Sequence, residues 1–259
     1  DTQQALRYAA SINNRFSLKM LASVIGKPQN IIAQSLEPAL LEGIVRPLDI
    51  NYRYATQKVI YQDVHYRFTH DSLQQAAYAL LPEPLKTQTH LQIARTLESK
   101  LSNTEKQKEL FNIVNHYNIA TDLIKNDADI HNLINLNMAA GKKAMASTAF
   151  SSALSYFENA ISLLPEDPWS NLQDICAQLL MLAAETALLE KQYCKMELWI
   201  DELLAHTRLP IEQASIWTLR LQAYTAQNRL EEAVEASNIA LAFLDVNLSK
   251  LPSSSKVMF

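Results

Sequence analysis

Apolar residues return every three or four positions along most of this chain, and short alternating stretches interrupt that rhythm only near its start. Leu73, Ala76, Ala77 and Leu80 make one such stripe, and Leu91, Ala94 and Leu97 another, each the buried side of a helix. Read this way, the first hundred residues predict helices over Gln3–Ser11, Ser17–Ile25, Pro28–Glu42, Ser72–Leu81 and Leu85–Leu101. Ser17 suits an N-cap and Gly26 a stop. Pro28 falls in a first turn, where a missing N–H costs least, and Gly43 ends that helix. Asp71 suits the N-cap of the fourth helix, which Pro82 and Pro84 close. Val45–Leu48 and His65–Thr69 predict two paired strands joined by a polar stretch carrying Tyr52, Tyr54 and Tyr61. Beyond Leu101 strand signals cease, and helices are expected over Glu105–Ile124, Ile130–Met145, Ser147–Leu164, Leu172–Glu190, Tyr193–Ala205, Ile211–Gln227 and Leu230–Leu244.

The predicted fold class is therefore mainly α, in two parts with a tail. Residues 1–101 have the helix, helix, helix, hairpin order of a winged helix, with two trailing helices. Residues 102–250 read as helical hairpins, and 251–259 as a polar tail. One hairpin carries small residues at the depths that tetratricopeptide repeats use: Gly141, then Ala153, Phe157, Ala160 and Pro165. Ala184 with Met196, Ile200 and Leu203, and Tyr224 with Ala233, Ser237 and Ala240, follow more loosely. Their spacing of 43 and then 37 residues exceeds the regular repeat. The second part is thus expected to be a tetratricopeptide-like array that offers a surface to other proteins.

Composition removes several kinds of chemistry. The chain has three glycines, Gly26, Gly43 and Gly141, too far apart to cradle phosphates in a glycine-rich loop. Cys176 and Cys194 form neither a disulfide framework nor a zinc site, and are expected as reduced core thiols. His65, His90, His116, His131 and His206 are scattered, with no pair at the i, i+4 spacing of a helical zinc site, and are expected at the surface or in structural hydrogen bonds. No Gly-x-Ser-x-Gly elbow is present, so the chain is expected to hold no catalytic centre and no metal. Residues 1–100 carry 11 Lys and Arg against 8 Asp and Glu, and residues 101–259 carry 12 against 19. Neither balance is the basic footprint of a nucleic-acid binder. No signal peptide or membrane span is evident, so a cytoplasmic location is expected. The chain starts at Asp1 rather than Met and ends in a polar Leu251-Pro252-Ser253-Ser254-Ser255 stretch, as expected of a piece of a longer polypeptide.

The segment Tyr66-Arg67-Phe68-Thr69-His70-Asp71-Ser72-Leu73-Gln74-Gln75-Ala76-Ala77-Tyr78 resembles the Phe-x-His-Asp-x-x-Gln-x-Ala-Tyr stretch of bacterial STAND-type signalling ATPases. Leu110-Phe111-Asn112-Ile113-Val114-Asn115-His116-Tyr117 and Leu136-Asn137-Met138-Ala139-Ala140-Gly141 are similar to the same proteins. The resemblance implies that a winged helix follows an AAA-like ATPase core and precedes tetratricopeptide-like helices. It also implies that ATP or ADP is bound upstream of this chain, with no cofactor held here. Members often carry a Ser/Thr kinase domain before the ATPase, and GAF, histidine-kinase or DNA-binding modules after the repeats. The function implied is regulatory coupling between a nucleotide-binding domain and output domains through protein contacts. The partners expected are domains of the same chain or other proteins, with a homo-oligomer open as one assembly.

His70 and Asp71 are the candidate cofactor-sensing residues. Related eukaryotic STAND proteins carry Met-His-Asp in their winged helix, where the histidine touches bound ADP, and Thr69-His70-Asp71 is similar with Thr in place of Met. A histidine just before a helix can donate to a phosphate oxygen while the helix amides add favourable partial charge. The plainer reading has Asp71 capping the helix and His70 filling a strand end. A DNA-binding regulator with a helical effector domain is the alternative function. Its groove-reading helix would be 28–42, which has no Lys or Arg and two Glu, so little would hold Gln29, Asn30 or Gln34 against bases. Tyr156, Phe157, Trp199 and Trp217 fall in registers that suit core packing, whereas Trp169, beside Pro165 and Pro168 in a turn, is expected exposed or wedged between hairpins.

Overall fold

The computed structural model describes residues 2–57 and 63–246. Tyr61 and the polar tail, named above, lie outside the described residues. The protein is mainly α, with one three-stranded sheet among the described residues. It divides into two compact units, Asp1–Asp129 and Ile130–Phe259.

The first unit begins with α1 (Thr2–Ile12), β1 (Arg15–Ser17), α2 (Leu18–Ile25), α3 (Gln29–Leu41), β2 (Val45–Pro47) and β3 (His65–Phe68). Ser17 caps α2 as expected, its hydroxyl accepting from the Met20 amide at 3.0 Å. Gly26 ends the helix at φ 73°, a left-handed conformation that glycine enters without the Cβ penalty. The sheet differs from the expected hairpin. A third strand, β1, pairs antiparallel with β3, giving the order β1-β3-β2. Only Phe16 of its three residues is buried, too short an alternation to read as a strand.

Alternation then assigns the two faces of the sheet. Phe16, Tyr66 and Phe68 point inward, with ring centroids 5.8 Å and 5.7 Å from Phe16, onto a core that includes Leu18, Leu21, Ile32 and Leu36. Arg15, Arg46 and Arg67 point outward, and the register sets Arg67 directly opposite both of the others. A one-turn 3-10 helix, Ile50–Tyr54, follows β2 with Asp49 as its cap.

After β3 come α4 (Asp71–Ala79), α5 (Glu83–Lys100), α6 (Asn103–Lys108) and α7 (Leu110–Ile119). The helix cap at the start of α4 is His70 rather than Asp71, and His70 makes no side-chain capping bond. The expected helix 105–124 is split. Ser102 and Glu105 close a capping box that starts α6 early, Glu109 at φ −89° and ψ 7° separates α6 from α7, and a 3-10 turn, Thr121–Leu123, ends the run.

The second unit contains most of α8 (Asp127–Ala146), then α9 (Phe150–Ser162), α10 (Pro168–Asn171), α11 (Gln173–Leu189), α12 (Tyr193–His206), α13 (Pro210–Ala226) and α14 (Leu230–Phe243). Gly141 and Phe157 make the close approach that the sequence expects. A Cβ built on Gly141 would lie 2.4 Å from the Phe157 ring, so any larger residue would have to displace that ring. The small residues Ala153, Ala160, Ala184 and Ala233 are buried with Phe157, Met196 and Ile200.

The three hairpin turns share one geometry. Thr148, Lys191 and Asn228 are all left-handed, at φ 57°, 59° and 59°. After each, an amide reaches back to the fifth preceding carbonyl: Ala149 to Ala144, Gln192 to Ala187 and Arg229 to Tyr224, at 3.0, 2.8 and 2.9 Å. This is the Schellman closure, which satisfies the carbonyls a helix end leaves free. The three left-handed residues are spaced 43 and 37 apart, the same interval as the small-residue pattern.

Candidate functional site

The second unit contains a groove built by helices that are first in their hairpins. One part, a cavity of about 460 Å3, lies between α11 and α13 beside the end of α12, and Met181, Leu182, Leu203 and Ile216 supply its apolar lining. A second part of about 380 Å3 shares Met181, Glu185 and Ser215 and extends to Met145 of α8. Asp174, Glu185 and Glu212 face this space, and no Lys or Arg lines either part. Burial raises the Glu185 carboxyl above its ordinary value, so a cation placed there would gain more than at an exposed carboxylate. Apolar floor with acidic walls is the complement of an amphipathic basic segment.

α12 and α13 are tied by Arg220. Its guanidinium is buried, bonds Glu197 Oε2 at 2.9 Å and Asp201, and lies 5.0 Å from the Trp217 ring. Trp169 is half-buried on α12: its indole N–H donates to Glu202 at 2.6 Å and its ring stacks on His206 at 4.3 Å. Phe157 is fully buried, whereas Tyr156, Trp199 and Trp217 are only partly covered.

His70 is exposed, and its backbone is extended at the start of α4, where its carbonyl accepts from the Leu73 amide at 3.1 Å. Thr69 is fastened beneath it, donating its hydroxyl to the Gly43 carbonyl at 2.6 Å and its amide to Ile44. Asp71 does not cap. Its carboxylate accepts from the Asn14 carboxamide at 2.5 Å, and Asn14 in turn accepts from Arg67 Nε at 3.0 Å. The two sequence-predicted site residues are thus adjacent at a helix start, one exposed to solvent and one fastened to Asn14, the residue before β1.

Among the described residues, no three His, Cys, Asp or Glu side chains gather as a metal site. Cys176 is buried, and burial pushes its thiol up to about 11, while Cys194 is exposed rather than in the core. α3 presents no Lys or Arg. No helix among the described residues is long and apolar enough to cross a membrane.

One cluster lay beyond the reach of spacing rules. His90 of α5 and His116 of α7 are both buried and meet Nδ1 to Nδ1 at 2.7 Å, and the Tyr78 hydroxyl of α4 joins His90 Nε2 at 2.9 Å. A contact between two ring nitrogens needs one proton, so one ring donates and the other accepts. Burial, and then the neighbouring His90, push His116 down to about 4, with the Ile12 backbone opposing. Burial likewise lowers His90. The pair is therefore held neutral, as a polar tie inside the first unit.

No protein-family model matches the chain, and no solved structure matches it. Among curated proteins it is similar to the hybrid signal transduction histidine kinase G of Dictyostelium discoideum, 28% identical over 214 residues. That match covers 72% of this chain and spans about 6% of the relative's length.

Proposed function

We propose that this chain is a signalling segment without a reaction centre of its own, which passes the nucleotide state of an upstream domain to other domains through protein contacts. The observation that carries the reading is the cation-free groove of the second unit, whose apolar floor and acidic walls suit a basic amphipathic helix of a partner. The similarity to a histidine kinase that works in signal transduction supports the signalling role. The element order of the first unit, α1-β1-α2-α3-β2-β3, supports a winged helix, and the repeated hairpin closure supports tetratricopeptide-like stacking. In this reading His70 reports the nucleotide on the upstream domain, because its ring is exposed at a helix start where amides favour a phosphate.

The test uses the full-length protein. Small-angle scattering should differ between ADP and a non-hydrolysable ATP analogue, and identical profiles would remove the coupling role. His70→Ala should speed ADP release, and an unchanged off-rate would leave His70 with a local role only. Charge reversal in the groove, Glu185→Lys with Glu212→Lys, should abolish the response of the output domain while nucleotide binding persists.

A further inference from the structure

The outer face of the sheet presents an arrangement that folding alone does not favour. Arg15, Arg67 and Arg46 lie side by side on three adjacent strands, each directly opposite the next and each exposed. Like charges placed directly opposite across strands repel and destabilise the pairing. Among the described residues, none of the three forms an ion pair with a carboxylate. Asp71 reaches Arg67 only through Asn14, to which its own bond goes. Asn14 also accepts from Arg67 Nε, which fixes one guanidinium beside the start of α4. Asp49, at the other end of β3, serves as cap for Asn51 and accepts from the His65 amide.

We propose that this arginine row binds a compact polyphosphate, the phosphate chain of a nucleoside di- or triphosphate. Guanidinium groups match phosphate oxygens with paired donors, and three of them at strand spacing span about 10 Å, enough for two or three linked phosphates. A nucleic-acid polymer fits less well. Stable backbone binding uses about 6–10 phosphate contacts, and the first unit is nearly balanced overall, with 14 Lys and Arg against 13 Asp and Glu over 1–129. Three of those cations are aligned here, while α3, the helix that would enter a groove, has none. The site stands on the sheet register alone; only the choice of a nucleotide over inorganic polyphosphate leans on the proposed nucleotide-sensing role.

The experiment is a titration of the chain at fixed ionic strength with inorganic tripolyphosphate, ATP, adenosine and a 20-base-pair duplex, read by NMR of arginine Nε–H and backbone signals. Tripolyphosphate and ATP should shift Arg15, Arg46 and Arg67 saturably, with ATP at least as tight, while adenosine moves nothing. Arg15→Gln or Arg46→Gln should weaken both ligands about tenfold, the loss of one charge-assisted contact. Without ligand these variants should melt at or above the wild-type temperature, because repulsion is relieved. His70→Ala should leave the tripolyphosphate affinity within about twofold, so a failed sensor role and a failed anion site give different results. No saturable shift, equal binding by the double variant Arg15→Gln/Arg46→Gln, or a lower melting temperature on removing either charge would overturn the proposal. Binding of tripolyphosphate without ATP would exclude the nucleotide, and tighter binding of the duplex would make the face a nucleic-acid surface instead.

Discussion

Acid should weaken the first unit chiefly through one buried ring, His116. His116 is 5% exposed and held near pKa 4 against an ordinary 6.5. Its neutral form is the one the folded state prefers, so between pH 4 and pH 6.5 the unfolded chain binds the proton and the folded chain resists it. Stability is complete above about 6.5 and falls as the pH drops towards 4. The full difference is worth about 3 kcal/mol at 1.36 kcal/mol per pH unit, and about 2 kcal/mol is already lost by pH 5. His90, also lowered by burial, adds in the same direction. Urea unfolding followed by far-UV circular dichroism at pH 7.5 and pH 5 measures the loss, with His116→Gln as the reference because glutamine keeps a polar partner for His90 without titrating. The wild type should lose about 2 kcal/mol more than the variant over that interval. Equal losses, or a His116 proton resonance titrating between pH 6 and pH 7, would refute the account.

Two further predictions concern the second unit. Gly141→Ala puts a methyl against the Phe157 ring and should cost about 1–3 kcal/mol in thermal unfolding despite alanine's better helix propensity, whereas adding Phe157→Leu should recover part of the loss, and strict additivity of the two changes would contradict the contact. Thr148→Gly should stabilise by about 1 kcal/mol, since a β-branched residue is held at φ 57° where glycine rests freely; a lower melting temperature would show that the threonine side chain outweighs its backbone strain.

Much of the fold was legible because local signals agreed with tertiary demands. Ser17, Gly26 and the Gly141 to Phe157 spacing predicted their contacts, since each acts within one helix or one hairpin. What escaped depended on partners distant in sequence. β1 has one buried residue, and its status as a strand comes from β3, some fifty positions later. The helix 105–124 reads as continuous because nothing at Glu109 breaks helix propensity, and the kink comes from how the capped α6 joins α7. His90 and His116 are 26 residues apart on different helices, so a search at i, i+4 passes over them, and only the packing of α5 on α7 brings the rings together. The arginine row is hidden for the same reason: each residue is an ordinary surface cation until strand register aligns all three. The sequence places Asp71 as a cap, whereas its carboxylate bonds Asn14, because that partner stands 57 positions earlier in the chain.

The left-handed stops at Thr148, Lys191 and Asn228 bear on how such an array can change over evolutionary time. Each hairpin is sealed by backbone bonds counted from its own stop, so residues gained or lost in the link between one hairpin and the next leave the seal untouched. Unequal intervals of 43 and 37 residues are then tolerable without loss of nesting. Length becomes free to drift where hairpins join, while the left-handed stop and its backbone seal hold each hairpin closed.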